Sequence, residues 1–81
     1  MNVLIVEDDL ILLDFLSQEI SNQISSLRGV VRKATSLFDA RKLISKKDPD
    51  WILVDLLLPD GSGIELVEEF VQINPNAKVL I

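Results

Sequence analysis

Acidic side chains follow two apolar segments of the sequence, and these acids are the residues whose spacing is best suited to chemistry. Three consecutive acids, Glu7–Asp9, come directly after the apolar run Val3–Val6, and Asp55 comes directly after Trp51–Val54. The chain contains no histidine and no cysteine, so a metal site built from side chains must use carboxylate oxygens. Such oxygens favour hard cations such as magnesium, calcium or manganese.

The composition excludes several other kinds of function. Without cysteine there can be no disulfide bond and no thiolate catalysis, and without histidine there can be no Ser-His-Asp triad. The 13 acidic and 8 basic residues give a net charge of -5, so we expect no direct binding of nucleic acid by this segment. No apolar run reaches the ~18 residues that a membrane span needs, and no leader precedes the first strand. A cytoplasmic location without membrane contact is therefore expected.

Hydrophobic periodicity predicts that strands and helices alternate along the chain. Continuous, β-branched runs are typical of strands buried on both faces of a parallel sheet, and apolar residues three and four positions apart are typical of amphipathic helices. The predicted strands are Val3–Val6, Val30–Ala34, Trp51–Val54 and a fourth that begins at Ala77; the predicted helices are about Leu10–Ile24, a segment capped by Thr35 or Ser36 that ends at about Ser45, and a segment from Ile64 to near Asn74. This alternation requires a single α/β domain with right-handed crossovers.

Each predicted helix has a side expected to face the sheet. In the first, Leu13, Leu16, Ile20 and Ile24 form the apolar stripe, and in the second the stripe is Leu37, Ala40, Leu43 and Ile44. In the third, the expected stripe is Ile64, Val67, Phe70 and Val71. Asp8 or Asp9 is expected to cap the first helix.

The topology of such a sheet would bring the acids together. Ligands of open parallel sheets bind beyond the carboxyl ends of the strands, where the strand order reverses. If the first and third strands are neighbours, Glu7, Asp8 and Asp55 converge, and their repulsion raises their proton affinity unless a cation neutralises it. The alternative is that Asp8 and Asp9 only cap a helix and that Asp55 only ends a strand. All three acids at one edge favour a site.

Two segments resemble the hallmark sequences of bacterial response-regulator receiver domains. They are Val3–Asp9 (VLIVEDD) and Asp50–Gly63 (DWILVDLLLPDGSG), and the resemblance extends across the whole chain. It implies a flavodoxin-like, doubly wound parallel sheet in three α/β/α layers, with strand order 2-1-3-4 as part of the family's 2-1-3-4-5. Residues 1–81 would then be a partial receiver domain that stops inside the fourth strand.

The resemblance implies a role for individual residues. Asp55 would be the phosphoacceptor, and Glu7 and Asp8 the acidic pair, with Asp8 contacting a magnesium ion most directly. Asp55 would also be a ligand of this ion, and Leu57 would contribute its backbone carbonyl to it. Asp9 would lie outside the pair and cap the first helix; Pro59 and Gly61 would shape the following loop, and Gly63 would open the third helix.

The implied function is that of a signalling module in a two-component phosphorelay, not of an enzyme with a separate substrate. Asp55 would take a phosphoryl group from a histidine kinase or a histidine phosphotransfer protein, and the module would assist its own phosphorylation and dephosphorylation. A receiver at an amino terminus is commonly followed by a DNA-binding domain, so a role of the parent protein in transcription regulation is an expectation by analogy.

The sequence also departs from the family, whose receivers have about 120 residues and five strands. The switch Ser or Thr, the Lys of the fifth strand and the last two helices have no counterpart before Ile81. We therefore expect a truncated piece that is impaired in phosphorylation. A bare edge on the fourth strand predicts self-association, as a homodimer or a strand-swapped oligomer.

Two other functions are compatible with parts of the pattern. The first is an interaction module that keeps the receiver shape and dimerises without being phosphorylated. The second is a magnesium-dependent phosphohydrolase with an aspartyl nucleophile, but such enzymes usually carry a second acid two residues later, where this chain has Leu57.

Overall fold

Four parallel strands and three helices alternate along the chain, as the periodicity predicted. The computed structural model describes all residues 1–81, and its elements in chain order are β1 (Asn2–Val6), α1 (Leu10–Ile24), a 3₁₀ turn (Ser25–Leu27), β2 (Val30–Ala34), α2 (Leu37–Lys46), β3 (Trp51–Val54), β4 (Leu57–Leu58), β5 (Gly61–Ser62), α3 (Gly63–Ile73) and β6 (Lys78–Leu80). None of the three helices has the length and the apolar composition needed to cross a membrane.

The main sheet has the strand order β2-β1-β3-β6, and all its neighbouring strands are parallel. This confirms the predicted order, since β6 is the fourth strand of the main sheet. Strand β1 lies in the centre, where Val6 is in register with Ala34 on one side and with Val54 on the other. The carboxyl ends of β1 and β3 are therefore adjacent.

The side chains of β1 alternate between two separate cores, because successive residues of a strand point to opposite faces of the sheet. On one face, nine buried residues pack between the sheet and helices α2 and α3: Leu4, Val6, Ala34, Leu37, Ala40, Ile52, Val54, Leu66 and Phe70. On the other face, four buried residues pack between the sheet and α1: Val3, Ile5, Leu13 and Ile24. Together they form the predicted three layers.

The predicted buried face of α3 is partly wrong. Ile64 and Val71 are 41% and 39% exposed, whereas Leu66, which the periodicity left out, is 1% exposed and packs with Phe70 in the larger core. The rotation of the helix is set at its first residue, because Gly63 lies buried against the backbone of Asp55. A stripe inferred from spacing alone does not include this tertiary contact.

Candidate functional site

Glu7 and Asp55 are fixed by backbone hydrogen bonds at the carboxyl edge of the sheet. The N–H of Asp55 donates to the carbonyl oxygen of Val6 at 3.0 Å, and the N–H of Glu7 donates to that of Ala34 at 3.0 Å. The ladder thus continues one residue past the strands. Because neighbouring parallel strands end together, Glu7 and Asp55 emerge side by side.

The three predicted carboxylates converge at this edge. One carboxylate oxygen from each of Glu7, Asp8 and Asp55 lies within 4.8 Å of those of the other two. Glu7 is buried at 8% exposure, Asp55 is half-buried and Asp8 is exposed. The cluster is therefore closed on the side of Glu7 and open to solvent on the side of Asp8.

Crowding of negative charge perturbs the buried member of the cluster. Burial raises the pKa of Glu7 above its ordinary value of 4.5, and the nearby carboxylates of Asp55 and Asp8 raise it further. The N–H of Asp9 donates to Glu7 Oε2 at 3.1 Å and partly offsets this rise in pKa. A divalent cation among these oxygens would relieve the repulsion, and an all-oxygen donor set suits a hard ion such as Mg²⁺.

Asp9 has the separate role that the sequence predicted for it. Its Oδ1 accepts hydrogen bonds from the N–H groups of Ile11 at 3.0 Å and Leu12 at 3.2 Å, which makes it the amino-terminal cap of α1. Only two of the three consecutive acids therefore belong to the cluster.

The predicted loop after Asp55 contains a small antiparallel ribbon. Leu57 pairs with Ser62 and Leu58 pairs with Gly61, so that Pro59 and Asp60 form the turn between β4 and β5. The N–H of Leu57 donates to Asp55 Oδ1 at 3.4 Å, a long hydrogen bond between the loop and the site. The carbonyl of Leu57 as a metal ligand stays a prediction.

Gly63 begins α3 where only glycine fits. Its N–H donates to the carbonyl oxygen of Leu56 at 2.9 Å, and a Cβ at this position would collide with the backbone oxygen of Asp55. Ser62 and Glu65 close the helix end with a capping box. The start of α3 is thereby held directly against the segment that carries the central carboxylate.

One residue near the site was not singled out from the sequence. Asp60 accepts hydrogen bonds from the backbone N–H groups of Leu37 at 2.8 Å and Phe38 at 2.9 Å, at the first turn of α2. These two bonds hold the pKa of Asp60 below its ordinary value. The partners are more than twenty positions away in sequence, so no local pattern announced the contact; only the sheet topology, which brings both loops to one edge, could have indicated it.

Comparison with known families identifies the class of protein. The family described as the response regulator receiver domain matches residues 3–81, and the chain therefore belongs to this family. Receiver domains are signalling domains that bind Mg²⁺ at an acidic pocket and interact with histidine kinases and phosphotransfer proteins. The predicted family and the predicted flavodoxin-like fold are thus confirmed.

Individual relatives agree with this assignment. The chemotaxis protein CheY of Thermotoga maritima is 31% identical over 52 residues, which make up 64% of this chain and 43% of CheY. A protein-glutamate methylesterase/protein-glutamine glutaminase of Methylobacillus flagellatus is 33% identical over 79 residues, 98% of this chain and 22% of that protein. Among solved structures, the MaeR response regulator bound to beryllium trifluoride is similar with a TM-score of 0.81 at 28% identity, over 100% of this chain and 66% of the MaeR chain. The chain spans less than half the length of these curated relatives.

Proposed function

We propose that this chain is a phosphoacceptor module in which Asp55 receives a phosphoryl group in a Mg²⁺-dependent reaction. The donor would be a phosphohistidine of a histidine kinase or of a histidine phosphotransfer protein. The observation that carries the proposal is the convergence of the Glu7, Asp8 and Asp55 carboxylates within 4.8 Å at the edge of the sheet. Membership of the receiver family supports the same reaction.

The transfer requires a nucleophile that a large donor can reach. A carboxylate oxygen of half-buried Asp55 would attack phosphorus in line, so that an acyl phosphate forms, the P–N bond breaks and its electron pair returns to the imidazole of the donor. The ion would be held by Glu7, Asp8, Asp55 and the carbonyl of Leu57. When bound, the ion would supply charge screening between the nucleophile and the phosphoryl oxygens.

The surface beside the site is suited to a protein donor. Leu10, Ile11 and Phe15 are 68%, 85% and 59% exposed in the first two turns of α1, which begins two residues after Asp8. An apolar patch next to charged groups is the usual composition of a docking surface. We infer that the partner contacts this part of α1, and that the chain turns over no separate substrate.

Mass measurement after incubation with a small phosphodonor tests the proposal. Acetyl phosphate and Mg²⁺ should add one phosphoryl group to the wild type and none to Asp55→Asn. The matched control is Asp9→Asn, because asparagine keeps the helix cap and Asp9 lies outside the cluster. Control protein should therefore be labelled like the wild type. Equal labelling of Asp55→Asn and wild type would refute the assignment of Asp55.

The alternative, an interaction module that keeps the receiver shape and dimerises without phosphorylation, makes a different prediction. Its acids need bind no ion, so calorimetric titration with Mg²⁺ would show no heat that depends on Asp8 or Asp55. Calorimetry is preferable to fluorescence here, since Trp51 lies at the other end of β3 from Asp55. Binding in the wild type that is lost in Asp8→Asn would favour the phosphoacceptor.

A further inference from the structure

We propose that Asp60 is a positioning residue that fixes the loop after Asp55 by joining it to the first turn of α2. This inference rests on the proposed function, because it gives the reason why the loop that begins at Leu57 keeps one geometry beside the phosphoacceptor. Asp60 would not touch the ion or the phosphoryl group; it would act through the ribbon formed by β4 and β5.

The hydrogen bonds of Asp60 use both of its carboxylate oxygens. Oδ1 accepts from the N–H of Leu37 and Oδ2 accepts from the N–H of Phe38. Two bonds to consecutive backbone groups fix the orientation of a carboxylate, as a single bond would not. The negative charge also lies at the positive end of the α2 dipole, which favours this arrangement.

The anchor to which Asp60 is attached is rigid. Leu37 is 1% exposed in the larger core, so its backbone cannot shift without disturbing the nine-residue cluster to which it belongs. The neighbouring Gly61 approaches the same residue: an added Cβ would lie 2.8 Å from Leu37 Cδ1 and 2.7 Å from Glu65 Oε2. Gly61 also has φ +149°, a conformation that side chains other than glycine rarely adopt. Turn and helix are therefore held together both by hydrogen bonds and by close packing.

The Pro59–Asp60 turn also holds the segment that follows Asp55. Asp60 follows Pro59 in the turn, and one step along the ribbon Leu57 pairs with Ser62. The N–H of Leu57 donates to Asp55 Oδ1, and its carbonyl is the proposed ligand. Release of Asp60 would remove the hydrogen bonds that join this short ribbon to α2, and because a two-residue ribbon is weakly paired, both contacts of Leu57 would become less well ordered.

The same helix end carries a natural control. Ser36 is the amino-terminal cap of α2 and accepts the N–H of Asp39 at 3.1 Å, but it makes no hydrogen bond to the loop. Ser36→Ala and Asp60→Ala both weaken the start of α2, whereas only Asp60→Ala detaches the turn from it. A purely structural role of Asp60 predicts that the two variants behave alike at the site.

The experiment compares wild type, Ser36→Ala, Asp60→Ala and Asp60→Asn by calorimetric Mg²⁺ titration and by the rate of labelling with acetyl phosphate. We expect Asp60→Ala to weaken Mg²⁺ binding about tenfold, the usual effect of losing a residue that orients a ligand, and to slow labelling. Ser36→Ala should keep the wild-type affinity although it too lowers the thermal midpoint. Asp60→Asn should be intermediate, because the amide oxygen can replace only one of the two carboxylate oxygens and the NH2 group in the other position cannot accept a hydrogen bond.

The outcomes separate this inference from the proposed function. Wild type that binds Mg²⁺ and is labelled, together with Asp60→Ala that matches Ser36→Ala in both measurements, would overturn the positioning role alone. A wild type that neither binds Mg²⁺ nor is labelled would overturn both the positioning role and the proposed function. If Asp60→Ala does not fold, Asp60→Asn against Ser36→Ala gives the same decision, with equal affinities again counting against the positioning role.

Discussion

The two faces of the sheet differ in how many apolar residues they bury. The face under α2 and α3 has nine buried apolar residues, two helices joined by the ion pair of Arg41 and Glu69, and a loop bonded to α2 through Asp60. The face under α1 has four buried apolar residues and an open groove lined only by apolar side chains, among them Ile20, Trp51 and Leu80.

The difference explains where the site is held. The tertiary contacts of the loop after Asp55 lead to the better-packed face: Asp60 and Gly61 contact the start of α2, and Gly63 begins α3 against the backbone of Asp55. The α1 face contributes the cap at Asp9 and the exposed residues beside the site. One face therefore supplies rigidity to the loop after Asp55, while the other leaves exposed the surface proposed to contact a partner.

Matched leucine deletions in the two cores test this comparison and should give the largest effect. Leu66 in α3 is 1% exposed in the larger core, and Leu13 in α1 is 5% exposed in the smaller one. We expect Leu66→Ala to lower the free energy of unfolding by about 4 kcal/mol and Leu13→Ala by about 2 kcal/mol, because Leu66 packs in a cluster of nine buried residues and Leu13 in a cluster of only four. Urea denaturation measures both values.

The two leucine variants should also differ in their affinity for Mg²⁺. Loss of Leu66 should reduce Mg²⁺ affinity under conditions where most of the protein is still folded, whereas loss of Leu13 should leave it unchanged. Equal losses of stability for the two variants would show that the two faces are packed alike, and the comparison would fail.

The acidic site lies at the edge between the two faces, and we expect its buried charge to lower the stability of the fold. Glu7 is buried among like charges, which raises its pKa. We expect Glu7→Gln to increase the free energy of unfolding by about 1 kcal/mol in the absence of divalent ions, a gain typical of relieving a strained functional site, and to weaken Mg²⁺ binding. Thermal unfolding with and without Mg²⁺ measures both effects.

The sign of the pH dependence follows from the raised pKa of Glu7. Its folded pKa lies above the unfolded value, near 4.5, so the folded state binds the proton more tightly. Below the unfolded pKa both states are protonated and the carboxyl costs nothing. As the pH rises through the folded pKa, Glu7 becomes charged in the folded state and the wild type loses the stability that the protonated carboxyl had provided. The Gln variant has no such group and loses nothing. The advantage of Glu7→Gln should therefore vanish at low pH, and a constant advantage would contradict the charge-based explanation.

Much of the fold could be predicted from the sequence because its signals are local. Helix α1 was predicted with its observed bounds, since Asp9 caps a stripe of apolar residues at helical spacing, and β3 was predicted with its observed bounds from a continuous apolar run. The convergence of Glu7 and Asp55 was also predictable. It depends only on parallel order and on acids placed at strand ends.

What the sequence did not predict depends on contacts between distant segments. The face of α3 is set by the approach of Gly63 to Asp55, and Asp60 reaches α2 across more than twenty residues of sequence. Likewise, Arg32 in β2 donates to the carbonyl oxygens of Leu43 and Lys47 at the other end of α2. Such contacts depend on how the elements pack together and produce no periodic pattern in the sequence.

The smallest expected difference between the faces concerns one ion pair on each. Arg41 donates two hydrogen bonds to Glu69 at 3.0 and 3.1 Å and so joins α2 to α3, whereas Lys33 and Asp14 approach only to 3.8 Å across the α1 face. Double-mutant cycles with alanine should give about 0.5 kcal/mol for the first pair and about zero for the second, since both are half exposed and only the bidentate geometry is fixed. Raising the salt concentration should reduce the first value. A larger coupling for Lys33 and Asp14 would mean that α1 is tied to the sheet by charge where its packing is thin, and the two faces would then differ in the kind of contact that holds them and not in how firmly they are held.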